Sequence, residues 1–116
     1  MKALIRKQII KMRKMLSPQV KRRRDLKIHK ALLQKKSYTK AHTVFLYVSH
    51  SEEVDTHAII KEALKHKKRL VVPKMHPSHA ALHLIHLEDL RHLKPGKFGI
   101  LEPEHTHTRV PKKEID

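Results

Sequence analysis

A strand–helix–strand pattern lies in the middle of the chain, at residues 43–73, which read TVFLYVSHSEEVDTHAIIKEALKHKKRLVVP. The segment 43–48 is uncharged and rich in β-branched and aromatic residues, which is typical of a buried parallel strand. Thr56 is positioned to cap the helix that follows, and a second strand at 69–72 is expected to end at Pro73. Such a βαβ unit predicts a parallel sheet with helical cover, and therefore an α/β fold.

The loop between the first strand and the helix is the predicted functional edge. Three acidic residues lie close together there: Glu52, Glu53 and Asp55. Ligands of parallel sheets bind outside the carboxyl ends of the strands, which is where this loop begins. A carboxylate at that position suits hydrogen bonding to a polar heterocycle such as an aminopyrimidinone.

The residues after this unit carry weaker patterns. Residues 81–87, ALHLIHL, alternate apolar and histidine side chains for most of their length, which predicts a strand with one wetter face. Residues 88–93 are expected to form a short helical turn. We expect the remainder, through Pro103, to be irregular.

Two helices are predicted before the unit. In residues 2–16 the apolar side chains recur at helical spacing and predict one inward-facing stripe, formed by Ile5, Ile9, Met12 and Leu16. Lys2, Arg6 and Arg13 lie together beside this apolar face, where core and solvent would meet and a bound anion could be shielded.

A second helix is expected to begin at Ser17-Pro18, an N-cap followed by a first-turn proline. It is expected to reach about Lys35 before a polar break at 37–40.

Positive charge is concentrated in these helices. The chain has a formal net charge of +16, and residues 1–40 hold 15 basic residues against a single acid, Asp25. Such a segment attracts polyanions, including nucleic acid, phosphorylated ligands and anionic lipid, or it forms a solvated helical surface. Because consecutive charges point around a helix, the run Lys21–Arg24 is expected to be such a solvated face.

Size and composition exclude several classes of protein. The 116 residues correspond to about one domain. The absence of cysteine excludes disulfide scaffolds and thiolate sites, and is compatible with a reducing compartment such as the cytoplasm. Only Gly96 and Gly99 are glycines, which excludes glycine-rich phosphate loops within these residues. No apolar run is long enough to span a bilayer.

Metal and nucleic-acid sites find little support in the sequence. Twelve histidines are present, but His83 and His86 would point to opposite faces of a strand, and His105 with His107 has no third ligand nearby. We therefore expect no metal site in this chain. Few aromatic residues are available to stack on bases, and no nucleic-acid-binding motif is present, so nucleic acid is expected to bind non-specifically if at all.

The order of several segments resembles that of the 5-formyltetrahydrofolate cyclo-ligase (methenyltetrahydrofolate synthetase) family. The segments are KALIR at 2–6, RKMLS at 13–17, FLYVSHSEEVDT at 45–56, LVVPKM at 70–75 and FGILEP at 98–103. The resemblance is collinear across essentially the whole chain. It implies a three-layer α/β/α sandwich with a mainly parallel sheet, of the type shared with sugar-phosphate isomerases and coenzyme A transferases.

The resemblance also implies a ligase reaction that depends on ATP and Mg²⁺ and belongs to folate one-carbon metabolism. In that reaction 5-formyltetrahydrofolate is converted into 5,10-methenyltetrahydrofolate with release of ADP and phosphate. The formyl oxygen is phosphorylated, the neighbouring folate nitrogen attacks the formyl carbon, and phosphate leaves. The implied partners are therefore a folate and ATP, with no membrane and with a monomer favoured.

Site residues follow from the resemblance by position. The family's KxxxR motif falls on Lys2 and Arg6, so the stretch comprising Lys2, Ala3, Leu4, Ile5 and Arg6 is expected to contact ATP. The family's folate contacts fall on Val48 and on Glu53, whose carboxylate would accept hydrogen bonds from the pterin amino group. Lys74 is a weaker candidate for a phosphate contact.

The sequence departs from the family pattern in two respects. Members have roughly 180 to 200 residues and carry a glycine-rich GxGxGYYD segment, which supplies much of the ATP and magnesium site and is missing here. We therefore expect residues 1–116 to form the N-terminal portion of such a domain, with a basic helical part at 1–40 and a βαβ part at 43–87. Catalytic residues are expected in the missing part, so we expect no measurable turnover from this chain alone. A truncated product and a shortened homologue with a different role are both compatible with the sequence. The second departure is that His66 replaces the family's glycine before the lysine of the second strand.

Overall fold

The computed structural model describes residues 1–75, 82–96, 101–103 and 109–116. The helices within these ranges are α1 (Lys2–Met15), α2 (Pro18–Gln34), α3 (Lys36–Thr39) and α4 (His57–Lys65). The strands are β1 (Thr43–Phe45), β2 (Arg69–Met75), β3 (Leu82–Leu87), β4 (Leu93–Pro95) and β5 (Leu101–Pro103). Short 3₁₀ turns lie at Leu90–His92 and Lys112–Glu114. None of the helices in the described ranges could cross a membrane.

The main sheet is mixed, with the order β1-β2-β3 in the described residues. β1 and β2 pair in parallel, with Thr43 opposite Arg69, which confirms the predicted βαβ unit. β3 runs antiparallel to β2, so the described part of the sheet is not mainly parallel. A parallel return needs a crossover of a dozen or more residues, and the six residues between Met75 and Leu82 are too few for one. β4 and β5 form a separate antiparallel pair.

The core lies between α4 and the sheet. Ile60 and Ala63 of α4 are fully buried against Leu70 and Val72 of β2, and the buried cluster extends to Val48, Leu87 and Leu93. Burying an isoleucine side chain contributes about 1.5 to 3 kcal/mol. This packing fixes α4 over the sheet and thereby sets the position of the loop that joins it to β1.

Several strands differ from those predicted. β1 ends at Phe45, where a buried strand through residue 48 was expected, and Phe45 is 40% exposed. Residues 93–95 form β4, which was not predicted. β2 continues through Pro73 to Met75. The backbone nitrogens of residues 69, 71 and 73 lie on the side of β2 that faces β1, but β1 ends opposite Val71. There is thus no ladder hydrogen bond for the proline to lose. Residues 101–103 form β5, where irregular structure was expected, and residues 98–100 lie outside the described ranges together with Ala81, His105 and His107. The predicted turn at 88–93 is confirmed by the 3₁₀ turn.

The N-terminal helices form as predicted but do not pack as predicted. Ser17 Oγ accepts a hydrogen bond from the Val20 N–H at 3.2 Å, which confirms the N-cap. The expected polar break contains the one-turn helix α3. α1 and α2 bury none of their residues, and the apolar face of α1 is open, with Ile5 48%, Ile9 44% and Met12 67% exposed. Helical periodicity specifies an apolar face but does not specify a surface to cover it.

A left-handed backbone conformation follows α4. Lys67 has φ 60°, a conformation that glycine adopts without strain and that other L-residues adopt at a cost. His66 has φ −82°, which any residue adopts. The backbone conformation that favours glycine therefore lies one residue after the position suggested by the family resemblance.

The C-terminal segment returns to the sheet. The N–H of Val110 donates to the carbonyl of Leu84 at 2.8 Å, and Asp116 lies beside β1. The Asp116 carboxylate accepts hydrogen bonds from the N–H groups of His42 and Thr43, both at 2.7 Å, and the Asp116 N–H donates to the Thr43 carbonyl at 3.1 Å. These bonds bring Asp116 to the edge of β1 that does not face β2.

Candidate functional site

A cleft of about 560 Å³ lies between α2 and the loop that follows β1. Its volume is within the range of small-molecule sites. It opens at the carboxyl end of β1, the edge at which the βαβ pattern predicts a site. Its lining residues are Pro18, Lys21, Arg22, Asp25, Leu26, His29, Ser49, His50, Ser51, Glu53, Asp55, His57 and Ala58.

One face of α2 forms a wall of the cleft. The lining positions 18, 21, 22, 25, 26 and 29 recur every three or four residues, so they lie along one side of the helix. Lys21 and Asp25, one turn apart, form an ion pair on this face. This wall was not predicted, because a run of four consecutive cations such as Lys21–Arg24 is expected to be solvated as a whole. The three-to-four spacing separates Lys21 and Arg22, which line the cleft, from Arg23 and Arg24, which do not.

The opposite wall is a loop closed by side-chain hydrogen bonds. The Ser49 N–H donates to Thr56 Oγ1 and the Thr56 N–H donates to Ser49 Oγ, both at 2.9 Å. Thr56 Oγ1 in turn donates to the Tyr47 carbonyl at 2.7 Å. Thr56 is the N-cap residue of α4, as predicted, but its side chain closes the loop and makes no capping bond. Asp55 caps the helix, because its Oδ1 accepts from the His57 N–H at 2.9 Å.

Glu53 lies at the centre of this loop and lines the cleft. Its Oε1 accepts a hydrogen bond from the His50 N–H at 3.1 Å and lies 3.4 Å from His50 Nε2. No donor among the described residues is bonded to its second oxygen, Oε2. The turn therefore orients the carboxylate and leaves one oxygen available to a ligand in the cleft.

Charged groups from both N-terminal helices surround the loop. Burial raises the pKa of the Tyr47 hydroxyl, and the carboxylate of Glu53 raises this pKa further. Arg13 and Lys21 oppose that rise. Lys14 at the end of α1 forms an ion pair with Glu52 at 3.4 Å. The end of α1 and the cleft-lining face of α2 therefore both lie close to the loop.

The other predicted folate contact, Val48, immediately precedes the cleft-lining Ser49. Its side chain is 5% exposed and belongs to the core cluster with Ile60 and Leu70. The side chain is therefore occupied by core packing, so any contact that Val48 makes with a ligand would involve its main chain.

The predicted ATP-binding stretch lies at the far end of α1. All five residues, Lys2, Ala3, Leu4, Ile5 and Arg6, are exposed, and none of them lines the cleft. Lys2 precedes Lys14 by twelve residues, or about 18 Å along a helix axis. Because the apolar face of α1 is open, the shielding that was expected around Lys2 and Arg6 is missing in the described part of the chain.

The side chain of Lys74 is paired with a carboxylate within the fold. Its side chain is largely buried at the end of β2, and its Nζ forms an ion pair with Glu102 Oε1 of β5 at 3.3 Å. The ammonium is thus neutralised within the fold, which argues against its predicted role at a phosphate.

Known proteins resemble this chain in sequence and in structure. A sequence model of the 5-formyltetrahydrofolate cyclo-ligase family matches residues 1–116. Among solved structures, the chain is similar to the NMR structure of Aquifex aeolicus 5,10-methenyltetrahydrofolate synthetase, with 30% sequence identity and a TM-score of 0.85. The match covers 99% of this chain and 57% of that chain, so the chain spans a little over half of that protein's length. No curated protein matches the chain.

Proposed function

The chain belongs to the 5-formyltetrahydrofolate cyclo-ligase family, and we propose that it acts in the ATP-dependent conversion of 5-formyltetrahydrofolate into 5,10-methenyltetrahydrofolate, with release of ADP and phosphate. The observation that carries the proposal is the cleft in which Glu53 presents a free carboxylate oxygen. Family membership supports a folate as the occupant of that cleft. Because the chain spans 57% of the related synthetase, the complete reaction is proposed for the family domain to which it corresponds.

Glu53 is the proposed folate-recognition residue. A pterin carries an amino group next to a ring N–H, and both are donors that a carboxylate oxygen accepts. His50 already holds Oε1, so the pterin would bind at Oε2. Hydrogen bonds to an ionised carboxylate are about twice as strong as neutral ones. In this proposal Val48 contributes a main-chain contact beside the pterin.

Lys2 to Arg6 is the proposed ATP contact. Lys2 and Arg6 lie one helical turn apart, so their cationic groups fit adjacent phosphate groups. The formyl oxygen takes the γ-phosphoryl group of ATP and ADP leaves. The neighbouring folate nitrogen then attacks the formyl carbon and loses its proton to solvent, and the C–O bond to phosphate breaks.

Mg²⁺ is implied by the family resemblance. No three carboxylate or imidazole side chains of the described residues lie close enough together to hold an ion. We therefore assign no residue of the described ranges to Mg²⁺, and no step is routed through it.

The proposal includes the location, oligomeric state and complete fold of the enzyme. We place it in the cytoplasm, as a monomer, and propose that the complete family domain closes as a three-layer α/β/α sandwich. Packing of α4 on the sheet supports this arrangement, because it provides one of the helical layers.

Non-specific polyanion binding is a second candidate function. The specific observation that favours it is the exposure of Arg22, Arg23 and Arg24, none of which forms an ion pair within the described residues. Polyanion binding of this kind weakens steeply with salt, because each neutralised phosphate releases a counterion.

Equilibrium titrations separate the two candidates. The chain is titrated with 5-formyltetrahydrofolate and, separately, with a short DNA duplex, each at low and at high salt. We expect saturable folate binding that persists at high salt. Salt-sensitive duplex binding together with no folate binding would refute the folate proposal and support the second candidate.

A further inference from the structure

Arg22 is a cation of the cleft that lacks an acidic partner. It lies in the second turn of α2, lines the cleft and is exposed. In the part of the chain that the structure describes, its guanidinium forms no ion pair with a carboxylate. A guanidinium presents a planar set of N–H donors, which matches a carboxylate or a phosphate in two-point geometry.

Most other charged groups near Arg22 have a charged partner; Asp55, which also lines the cleft, accepts the His57 N–H and has no cationic partner among the described residues. Lys21 is paired with Asp25 on the same wall. On the facing loop Glu53 accepts the His50 N–H and lies beside the His50 imidazole, and Glu52 is paired with Lys14 of α1. Arg22 therefore leaves an uncompensated positive charge on the α2 wall, opposite the loop that carries Glu53.

We propose that Arg22 binds a carboxylate of the substrate's glutamate tail, so that the cleft recognises both ends of the folate. The inference rests on the proposed function and extends it. 5-Formyltetrahydrofolate has a hydrogen-bond-donating pterin at one end and two carboxylates at the other. A molecule whose pterin lies at the Glu53 wall would present these carboxylates to the cationic wall on α2.

The anion at Arg22 has two possible sources, a tail carboxylate and a phosphate of ATP. Dissociation constants are measured for 5-formyltetrahydrofolate, for its diamide analogue, in which both tail carboxylates are neutral amides, and for ATP. Arg22→Gln removes the charge. Arg24→Gln is the matched control, because Arg24 belongs to the same basic run, is exposed and does not line the cleft.

We expect Arg22→Gln to weaken binding of 5-formyltetrahydrofolate by roughly threefold to tenfold, the effect of an ion pair at a partly hydrated rim. Binding of the diamide and of ATP is expected to be unchanged, and the Arg24→Gln chain should bind all three ligands as the wild type does. Wild type should itself bind the diamide roughly threefold to tenfold more weakly than the parent folate.

Other outcomes overturn the inference. Equal weakening by Arg22→Gln and Arg24→Gln would mean that the general positive field of α2 acts on the ligand. Equal weakening of folate and diamide by Arg22→Gln would exclude the carboxylate as the contact. Weaker ATP binding with unchanged folate binding would identify the anion as a phosphate. If the wild type binds neither the folate nor the diamide, the proposed function itself fails, and the inference fails with it.

Discussion

Ser49 and Thr56 hold each other through two reciprocal hydrogen bonds, each from the N–H of one residue to the hydroxyl oxygen of the other, both at 2.9 Å. The pair closes a loop of eight residues between β1 and α4. Both residues are buried, so the bonds are shielded from water. The loop thereby keeps Glu53 at a fixed position over the carboxyl end of β1.

Thr56→Val tests this closure. Valine has nearly the same shape but lacks the hydroxyl, so the Ser49 N–H and the Tyr47 carbonyl each lose a partner. A buried polar group without a partner costs roughly 1 to 3 kcal/mol, and we expect a loss of about 2 kcal/mol in the free energy of unfolding, measured in urea. Thr39→Val, at an exposed hydroxyl, should change it by less than about 0.5 kcal/mol. Equal effects of the two substitutions would contradict a special role of Thr56.

Glu53→Gln tests folate recognition. Glutamine can still accept the His50 N–H, and Glu53 contributes no core volume, so the stability should change by less than about 0.5 kcal/mol. The charge-assisted bonds to the pterin, worth roughly 1.5 to 3 kcal/mol, would be lost, and we expect folate affinity to fall about tenfold to a hundredfold. Glu62→Gln, on α4 and away from the cleft, is the control. Lower thermal stability of Glu53→Gln with unchanged folate affinity would show that Glu53 is structural.

Lys67→Gly tests the left-handed conformation after α4. Lysine at φ 60° is strained by roughly 1 to 2 kcal/mol. Glycine relieves that strain but adds entropy to the unfolded chain, so we expect a net stabilisation of about 0.5 to 1 kcal/mol. Lys61→Gly, inside α4, should instead destabilise the protein by about 1 kcal/mol. Chemical denaturation of both variants measures the two signs, and a destabilised Lys67→Gly chain would disprove the conformation.

Acid sensitivity at the sheet edge depends on Asp116. Backbone hydrogen bonds from Thr43 and His42 lower the pKa of its carboxyl. A carboxylate with a lowered pKa stabilises the fold fully above its unfolded pKa, near 3.9, and this contribution is lost as the pH falls through the folded pKa. The stability difference between wild type and Asp116→Asn should therefore be present at pH 6 and should shrink on acidification below about pH 4. Urea unfolding across this range measures it, and a constant difference would contradict the assignment.

Ile9→Gln tests the open face of α1. Because α1 buries none of its residues, the substitution should change the free energy of unfolding by less than about 0.5 kcal/mol. Ile60→Ala, in the core, is the contrasting variant and should cost about 2 to 5 kcal/mol. A loss above about 1.5 kcal/mol for Ile9→Gln would mean that the apolar face of α1 is covered in solution.

Local patterns in the sequence determined the two long helices, the βαβ unit and the edge at which the cleft opens, but not α3, β4 or β5. Ser17-Pro18 specifies the start of α2 through a cap and a preset backbone angle. The apolar run from Thr43 and the spacing within α4 specify a βαβ unit, since these signals depend on neighbours along the chain. The family resemblance rests on residues in the same segments, and the family match over residues 1–116 confirms it.

Tertiary structure decided which side chains meet. α2 supplies a wall of the cleft because it lies against a loop more than twenty residues away in the sequence. That packing also decides that Arg22 lines the cleft and that Arg24 does not. Lys74 forms an ion pair with Glu102, a partner 28 residues distant. The face of α1 reads as a core surface along the chain, yet it is open, because burial depends on the presence of a second surface. Helical periodicity records the existence of a face, and only long-range packing determines what that face touches.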